Sequence, residues 1–84
     1  MVIERIIPTE KFEKDVKKIR DKRVKERISI EVKRICENPL TGKPLRYGLK
    51  GEKTIRIRPY RLIYTVQSSN LILLRFEHRD EVYD

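Results

Sequence analysis

The spacing of apolar side chains changes near the middle of the chain, and this change restricts the fold more than any other feature. Before residue 38, apolar residues recur every three or four positions, as they do in an amphipathic α-helix. After residue 53 they alternate with polar residues, as they do in a half-buried β-strand. A chain of 84 residues makes one domain, which we place at residues 1–84. In this domain helices come first and a sheet follows.

The helical half opens with a short strand. Residues 2–7 are rich in β-branched side chains and stop at Pro8, which predicts a first strand. Thr9 and Asp21 are suited to cap the two helices that follow. The apolar stripes of these helices are Phe12, Val16 and Ile19 in the first, and Val24, Ile28, Val32 and Ile35 in the second.

The second half is predicted to be a long connection followed by a meander. Residues 38–51 are rich in proline and glycine, and we expect their apolar members to anchor the connection to the core. These expected anchors are Leu40, Leu45, Tyr47 and Leu49. Strands are predicted at residues 53–58, 61–67 and 71–76, with turns at 59–60 and 68–70 and a polar tail at 77–84. The order β-α-α-β-β-β predicts an α+β fold, in which a helical hairpin packs on a small, mainly antiparallel sheet.

Basic residues outnumber acidic ones, but the excess is not spread evenly. The chain has 21 Lys and Arg against 13 Asp and Glu, a formal net charge of +8. Residues 1–38 hold 12 basic and 8 acidic side chains, interleaved as on solvated helix faces with i,i+4 pairs. Residues 43–61 hold seven basic side chains and one acid, Glu52. Because this second stretch cannot neutralise itself, it favours a polyanionic partner.

Several classes of protein do not fit the sequence. The longest apolar run is residues 71–74, whereas a membrane helix needs ~20 apolar residues, so we expect no membrane partner. The first residues lack the pattern of a secretory signal, which predicts a cytoplasmic location. Cys36 is the single cysteine and His78 the single histidine, too few for a usual zinc site. We therefore expect no metal and no cofactor.

The arginines near the second predicted strand suggest phosphate binding. Alternation places Arg56 and Arg58 on one side of that strand, and Arg61 follows the turn. A guanidinium group grips phosphate oxygens in two places and stays charged. The structural alternative is a charged edge strand that only resists aggregation.

Two residues near the end of the chain could move a proton. Taken singly, His78 fits a surface hydrogen-bonding residue and Tyr83 fits a packing residue. Taken with the arginines, they could cleave RNA without a metal. Attack by the 2′-hydroxyl needs a base, a cation at the phosphate and an acid for the leaving 5′-oxygen.

Three motifs together resemble a known family. They are the L-x-G sequence at residues 49–51, the R-x-x-x-Y-R-L-I-Y sequence at 56–64 and the H-R-x-x-V-Y sequence at 78–83. In these motifs, in length and in predicted element order, the whole chain resembles a RelE-type toxin of the RelE/ParE superfamily.

The resemblance implies a ribosome-dependent endoribonuclease that cuts mRNA in the ribosomal A site, without a metal. Arg56, Arg61, Arg79 and Tyr83 match catalytic positions of the family. In that scheme Tyr83 is the base, Arg61 binds the scissile phosphate and Arg79 assists the leaving group. His78 competes with Tyr83 or Arg79 for the base or acid role.

The resemblance also implies a set of RNA-binding residues. Arg58 matches a neighbouring basic position of the family. Thr54 stands where some members have a lysine, so either Lys53 or Lys50 substitutes for it or one phosphate contact is missing.

The partners implied are a cognate RelB-like antitoxin and the ribosome with its mRNA, with toxin and antitoxin forming a hetero-oligomer. Two alternatives stay open. The ParE branch shares the fold but inhibits DNA gyrase and has no nuclease activity. A plain basic module would bind RNA with steep salt dependence and leave the strand intact.

Overall fold

Two helices packed on a five-stranded mixed sheet make up the part of the chain that the structure, a computed structural model, describes: residues 2–44 and 51–78. The predicted α+β class is confirmed. In chain order the elements are β1 (Arg5–Pro8), α1 (Glu10–Lys17), α2 (Lys22–Glu37), β2 (Lys43–Pro44), β3 (Lys53–Ile57), β4 (Tyr60–Gln67) and β5 (Asn70–His78).

The strand order across the sheet is β1-β5-β4-β3-β2. The chain leaves β1 at one edge, passes through both helices to β2 at the opposite edge, and returns through β3, β4 and β5. β1 therefore runs parallel to β5, whereas the other neighbouring strands are antiparallel. The sheet is mainly antiparallel, as predicted.

The strand boundaries differ from the predicted ones for identifiable reasons. β1 begins at Arg5 because that residue pairs with Asn70, the first residue of β5. Pro8 belongs to the strand because an edge strand tolerates a residue without an N–H group. Within the predicted connection, Lys43 and Pro44 pair with Thr54 and Lys53, which adds the short β2.

The C-terminal hairpins are longer than predicted. Ile57 pairs with Tyr60, so the turn is at residues 58–59 and β4 begins at Tyr60. Because Tyr60 in turn pairs with His78, β5 continues to His78. The histidine therefore lies in a strand and not in a polar tail.

Helix α1 is fixed to β5 by two polar residues. Thr9 caps the helix as predicted: its Oγ1 accepts the N–H of Phe12 at 3.1 Å and donates to the carbonyls of Leu73 and Leu74 at 2.9 and 2.8 Å. Asp15, which is buried, accepts the N–H of Phe76 at 3.0 Å. Between β4 and β5 the register shifts by one residue, and Leu74 is the extra residue. Both contacts lie beside this bulge, and a bulge of this kind frees backbone groups from the hydrogen bonds between strands.

The core lies between the helices and one face of the sheet. Both predicted stripes contribute to it, and the Asp21 side chain caps α2 as predicted, accepting the N–H of Arg23 at 2.8 Å. Neither helix of the described residues has the length and apolar content needed to cross a membrane. The buried core residues are Phe12, Ile19, Val24, Ile28, Ile35, Ile57, Leu62, Tyr64, Leu71, Leu73 and Phe76.

Candidate functional site

Two of the predicted site arginines are direct neighbours on adjacent strands. Arg56 of β3 pairs with Arg61 of β4, and Arg61 pairs on its other side with Glu77 of β5. Side chains in such pairs stand with their Cβ atoms about 4.5–5.5 Å apart, and like charges directly opposite one another are destabilising. Arg61 therefore stands between a cation and an acid on one face of the sheet, and it lines the same cleft as Arg56.

A cleft of about 490 Å³ lies beside these arginines. Within the described residues β2 pairs only with Lys53 and Thr54, so β3 has no outer partner strand from Ile55 onward. At such an open edge, residues from both faces of a strand can line the same space, and Ile55 and Arg56 both do so. The residues lining this basic cleft are Arg27, Glu31, Arg34, Thr41, Lys43, Pro44, Thr54, Ile55, Arg56 and Arg61.

The segment that closes one side of the basic cleft is held by a buried tyrosine. Tyr64 Oη donates to the carbonyl of Pro39 at 3.1 Å and accepts the N–H of Gly42 at 3.0 Å. Burial raises the pKa of this phenol above its ordinary value of 10.0, and the Gly42 N–H opposes that shift. A Cβ on residue 42 would lie 2.5 Å from Tyr64 Oη, so this close approach requires glycine. The phenol thus fixes the position from which Thr41 and Lys43 reach the cleft.

This anchor differs from the predicted one. Leu40 was expected to hold the segment on the core, but it is 76% exposed. The Tyr64 hydroxyl hydrogen-bonds to the backbone of Pro39 and Gly42, on either side of Leu40. The segment is therefore anchored without burial of the leucine. The other expected anchors, Leu45, Tyr47 and Leu49, lie outside the described residues.

The basic cleft contains a single carboxylate among the described residues. Glu31 is 5% exposed and lies in the buried stripe of α2. Its Oε1 accepts a hydrogen bond from Arg34 Nη1 at 3.2 Å. The cations lining the cleft are Arg27, Arg34, Lys43, Arg56 and Arg61. Positive charge is therefore in clear excess, and a concave surface focuses the resulting potential.

His78 lies apart from the arginine pair. Alternation places Tyr60 and His78 on one side of the sheet and Arg61 and Glu77 on the other. The His78 ring meets the Tyr60 ring edge to face at 5.4 Å between centroids, and Tyr60 in turn stacks on Phe76 at 4.9 Å. His78 does not line the basic cleft.

The remaining predicted residues are distributed as follows. Arg58 lies in the exposed turn between β3 and β4, so the strand alternation that was expected to place it beside Arg56 does not reach it. Lys53 is the first residue of β3 and pairs with Pro44 and Tyr64, outside the cleft lining. Lys50, Arg79 and Tyr83 lie outside the described residues.

The sequence interpretation missed the contribution of α2 to this site. Arg27 and Arg34 had been assigned to solvated helix faces, yet they line the same cleft as Arg56 and Arg61. Arg27 lies four residues before Glu31, and Arg34 lies three residues after it. Because residues so spaced share a helix face, this spacing is the signal in the sequence that could have grouped them. Because the acid between the two arginines is buried, that face of α2 is turned toward the rest of the domain and not toward solvent.

A family described as the ParE toxin of type II toxin–antitoxin system, parDE, matches residues 6–83. The chain therefore belongs to this toxin family, which confirms the resemblance to the RelE/ParE superfamily that the motifs indicated. A comparison with curated protein sequences gives no match.

Solved structures of RelE-type toxins share this fold. The RelB–RelE antitoxin–toxin complex of Methanococcus jannaschii is 25% identical, with a TM-score of 0.73 over 93% of this chain and 95% of that one. The RelBE2 toxin–antitoxin complex of Mycobacterium tuberculosis is 27% identical, with a TM-score of 0.75 over 93% of this chain and 100% of that one. A mutant of the E. coli toxin RelE in the free state is 23% identical, with a TM-score of 0.78 over 99% of this chain and 92% of that one.

Proposed function

We propose that this toxin is a ribosome-dependent endoribonuclease, which cleaves mRNA in the A site by metal-independent attack of a 2′-hydroxyl on the adjacent phosphate. The observation that carries the proposal is the Arg56–Arg61 pair at the basic cleft. A guanidinium group can donate two parallel N–H groups to the oxygens of a phosphate, so two arginines on neighbouring strands that line one cleft are suited to bind one phosphate.

The reaction needs charge stabilisation more than any other assistance. As the 2′-oxygen bonds to phosphorus and the bond from phosphorus to the 5′-oxygen breaks, negative charge grows on the phosphate oxygens. Arg61, which is half-buried, and Arg56 would stabilise that charge from fixed positions on the sheet. The base takes the proton of the 2′-hydroxyl and the acid returns one to the 5′-oxygen, so the products are a 2′,3′-cyclic phosphate and a 5′-hydroxyl.

The base and the acid would come from the end of the chain. In the scheme that the family resemblance implies, Tyr83 is the base and Arg79 assists the leaving group. Residue 79 is bonded to His78, whose partner Tyr60 directly precedes Arg61. His78 therefore lies one strand spacing, about 4.8 Å, from Tyr60, the residue before the arginine that would hold the phosphate. His78 itself, against Tyr60 on the other side of the sheet, is less well placed for proton transfer at Arg61.

We also propose a cognate antitoxin as partner, forming a hetero-oligomer with the toxin. The M. jannaschii and M. tuberculosis relatives are toxin–antitoxin complexes. A chain of net charge +8 suits an acidic antitoxin segment.

One finding favours a second function, inhibition of DNA gyrase. The family that matches residues 6–83 is described as the ParE toxin. In what the family resemblance implies, the ParE branch inhibits gyrase and has no nuclease activity. The two functions differ in the target they damage, so they are separable in one set of assays.

The deciding experiment compares Arg61 variants on translating ribosomes. Arg61→Ala should lower the rate of mRNA cleavage by at least about 100-fold, as loss of a preorganised donor does elsewhere. Arg61→Lys, which keeps the charge but loses the fork, should be intermediate. The matched control is Arg5→Ala, an exposed arginine of β1 at the far edge of the sheet, which should cleave as the wild type does.

The outcome against the proposal is equally specific. If the wild-type toxin leaves mRNA intact on translating ribosomes while it blocks supercoiling by purified gyrase, the nuclease proposal is wrong and the gyrase function replaces it.

A further inference from the structure

Helix α2 directs a row of three charged residues at the basic cleft. Arg27, Glu31 and Arg34 are spaced four and three residues apart, so they share one helix face, and all three line the cleft. At 1.5 Å per residue, Arg27 and Arg34 are separated by about 10 Å along the helix axis. They can therefore contact different groups of one extended ligand.

The positive charge of the cleft exceeds what a single phosphate requires. Arg56 and Arg61 are neighbours on adjacent strands and suffice for one phosphate, and Lys43 adds a third cation from β2. Arg34 is held by its 3.2 Å contact with Glu31, yet its side chain is 61% exposed and remains available to a ligand. Arg27 is exposed as well.

The composition of the lining favours a nucleic-acid backbone over a protein segment. A docking amphipathic helix inserts apolar anchors into an apolar groove. Apart from Pro44 and Ile55, the side chains that line the basic cleft are polar or charged. Its volume, about 490 Å³, lies within the ~300–1,000 Å³ range of sites for small ligands, which suits a short stretch of a single strand.

We propose that Arg27 and Arg34 bind backbone phosphates next to the one held by Arg56 and Arg61, so that α2 and the β3–β4 hairpin hold one RNA strand between them. This inference rests on the proposed function in that the strand is RNA. Glu31 acts as a positioning residue, because it holds Arg34 toward the cleft.

The test measures binding of a short single-stranded RNA that carries 2′-O-methyl groups and so cannot be cleaved. Arg27→Gln/Arg34→Gln should raise its Kd about tenfold and should lower the slope of log K against log salt by about 1.4, at ~0.7 per lost phosphate contact on a single strand. Arg5→Gln/Arg20→Gln is the matched control, because it removes the same charge from two exposed arginines outside the cleft. It should leave the slope unchanged.

A second variant separates contact from overall charge. Arg27→Lys/Arg34→Lys keeps both charges, so it should retain the wild-type salt slope and lose only part of the affinity. On translating ribosomes, the glutamine variant should need about tenfold more toxin for half-maximal cleavage and should reach the wild-type maximal rate. Arg61→Ala, in contrast, should lower the maximal rate of cleavage.

Failure of the two proposals looks different. If the wild-type toxin cleaves mRNA, and Arg27→Gln/Arg34→Gln matches it in Kd and salt slope, the α2 contact is refuted while the nuclease stands. If Arg27→Gln/Arg34→Gln shows the predicted loss of affinity and change of slope but the wild-type toxin cleaves nothing, the nuclease fails while the α2 contact stands. If the glutamine variant loses affinity for poly-glutamate but not for RNA, this end of the cleft takes an acidic protein segment and the proposal is overturned.

Discussion

Charged and polar groups are arranged in opposite ways in two parts of the molecule. One is the contact between α1 and β5, and the other is the basic cleft between α2 and β3. At the α1–β5 contact, the buried carboxylate of Asp15 accepts hydrogen bonds from Lys11 and from the Phe76 backbone, and the Thr9 hydroxyl bonds to β5. The basic cleft is lined by five cations and one carboxylate of the described residues, and among these residues Thr54 Oγ1 is buried without a hydrogen-bond partner.

The difference separates what stabilises this domain from what it presents to a ligand. Satisfied buried groups hold elements together, whereas crowded cations and an unpaired hydroxyl reduce stability unless something binds. Substitutions at the α1–β5 contact should therefore lower stability and leave the activity of each folded molecule intact. Substitutions of the arginines in the basic cleft should instead lower activity without lowering stability.

The largest effect on stability is expected from Asp15→Ala. The change leaves the Phe76 N–H buried without an acceptor, which should lower the free energy of unfolding by about 2–3 kcal/mol. Thermal unfolding should reveal it as a fall in Tm of about 8–24 °C, since a domain of this size shifts by about 4–8 °C per kcal/mol.

The control for this prediction is Lys11→Ala. The Lys11 side chain is 63% exposed, and such surface pairs contribute about 0–1 kcal/mol. An equal loss in both variants would mean that the ion pair, and not the backbone contact, fixes α1 to β5.

Tyr64→Phe should have the next largest effect, because Tyr64 lies where the two regions meet. Loss of its hydroxyl leaves the Pro39 carbonyl and the Gly42 N–H without their partner, at about 1–2 kcal/mol in urea unfolding. It should also lower RNA affinity modestly, since the segment that carries Lys43 loses its anchor. Tyr60→Phe, which keeps the stacking on Phe76, is the matched control and should change neither property.

The same residue predicts a pH dependence. Burial raises the folded-state pKa of Tyr64 above 10.0, so the unfolded chain loses this proton first as the pH rises. The contribution of the neutral phenol is complete below pH 10 and is lost above it, as the pH rises through the raised folded-state pKa. Urea unfolding from pH 9 to 11 should show a steeper loss of stability in the wild type than in Tyr64→Phe, and parallel curves would refute this assignment.

The smallest effect is expected from Thr54→Val. The substitution replaces an unpaired buried hydroxyl with a methyl group of similar shape, so stability should rise by up to about 1 kcal/mol. RNA cleavage should be unchanged, because the cations of the basic cleft remain. A loss of cleavage would mean that the hydroxyl contacts the substrate.

The parts of this molecule that depend on local sequence were predictable. Thr9 and Asp21 have the short polar side chains that cap helices, and both do so. Alternation along residues 53–58 correctly separated Ile55 and Ile57 from Arg56, because strand geometry has a period of two. The pairing of Arg56 with Arg61 then depends on the length of the turn, which was misplaced by one residue.

The features that depend on distant pairing could not be predicted. Asp15 and Phe76 are 61 residues apart, and their contact lies close to the register shift of β5, which no local pattern predicts. Likewise, no local pattern relates α2 to the open edge of β3. The sequence pattern therefore favoured solvent-exposed positions for Arg27 and Arg34. Helical periodicity identifies the face of α2 that is buried but not the strand that the face meets.

The most direct test of the central claim, that the basic cleft promotes attack by a 2′-hydroxyl on mRNA, is a single 2′-deoxy substitution at the cleavage position. A defined mRNA with that sugar in the A-site codon would be placed on ribosomes and treated with the wild-type toxin. Cleavage at that position should fall to background, while the unmodified mRNA should yield fragments ending in a 2′,3′-cyclic phosphate. Equal cleavage of both mRNAs would contradict the claim, because a strand without the 2′-hydroxyl cannot break by this route.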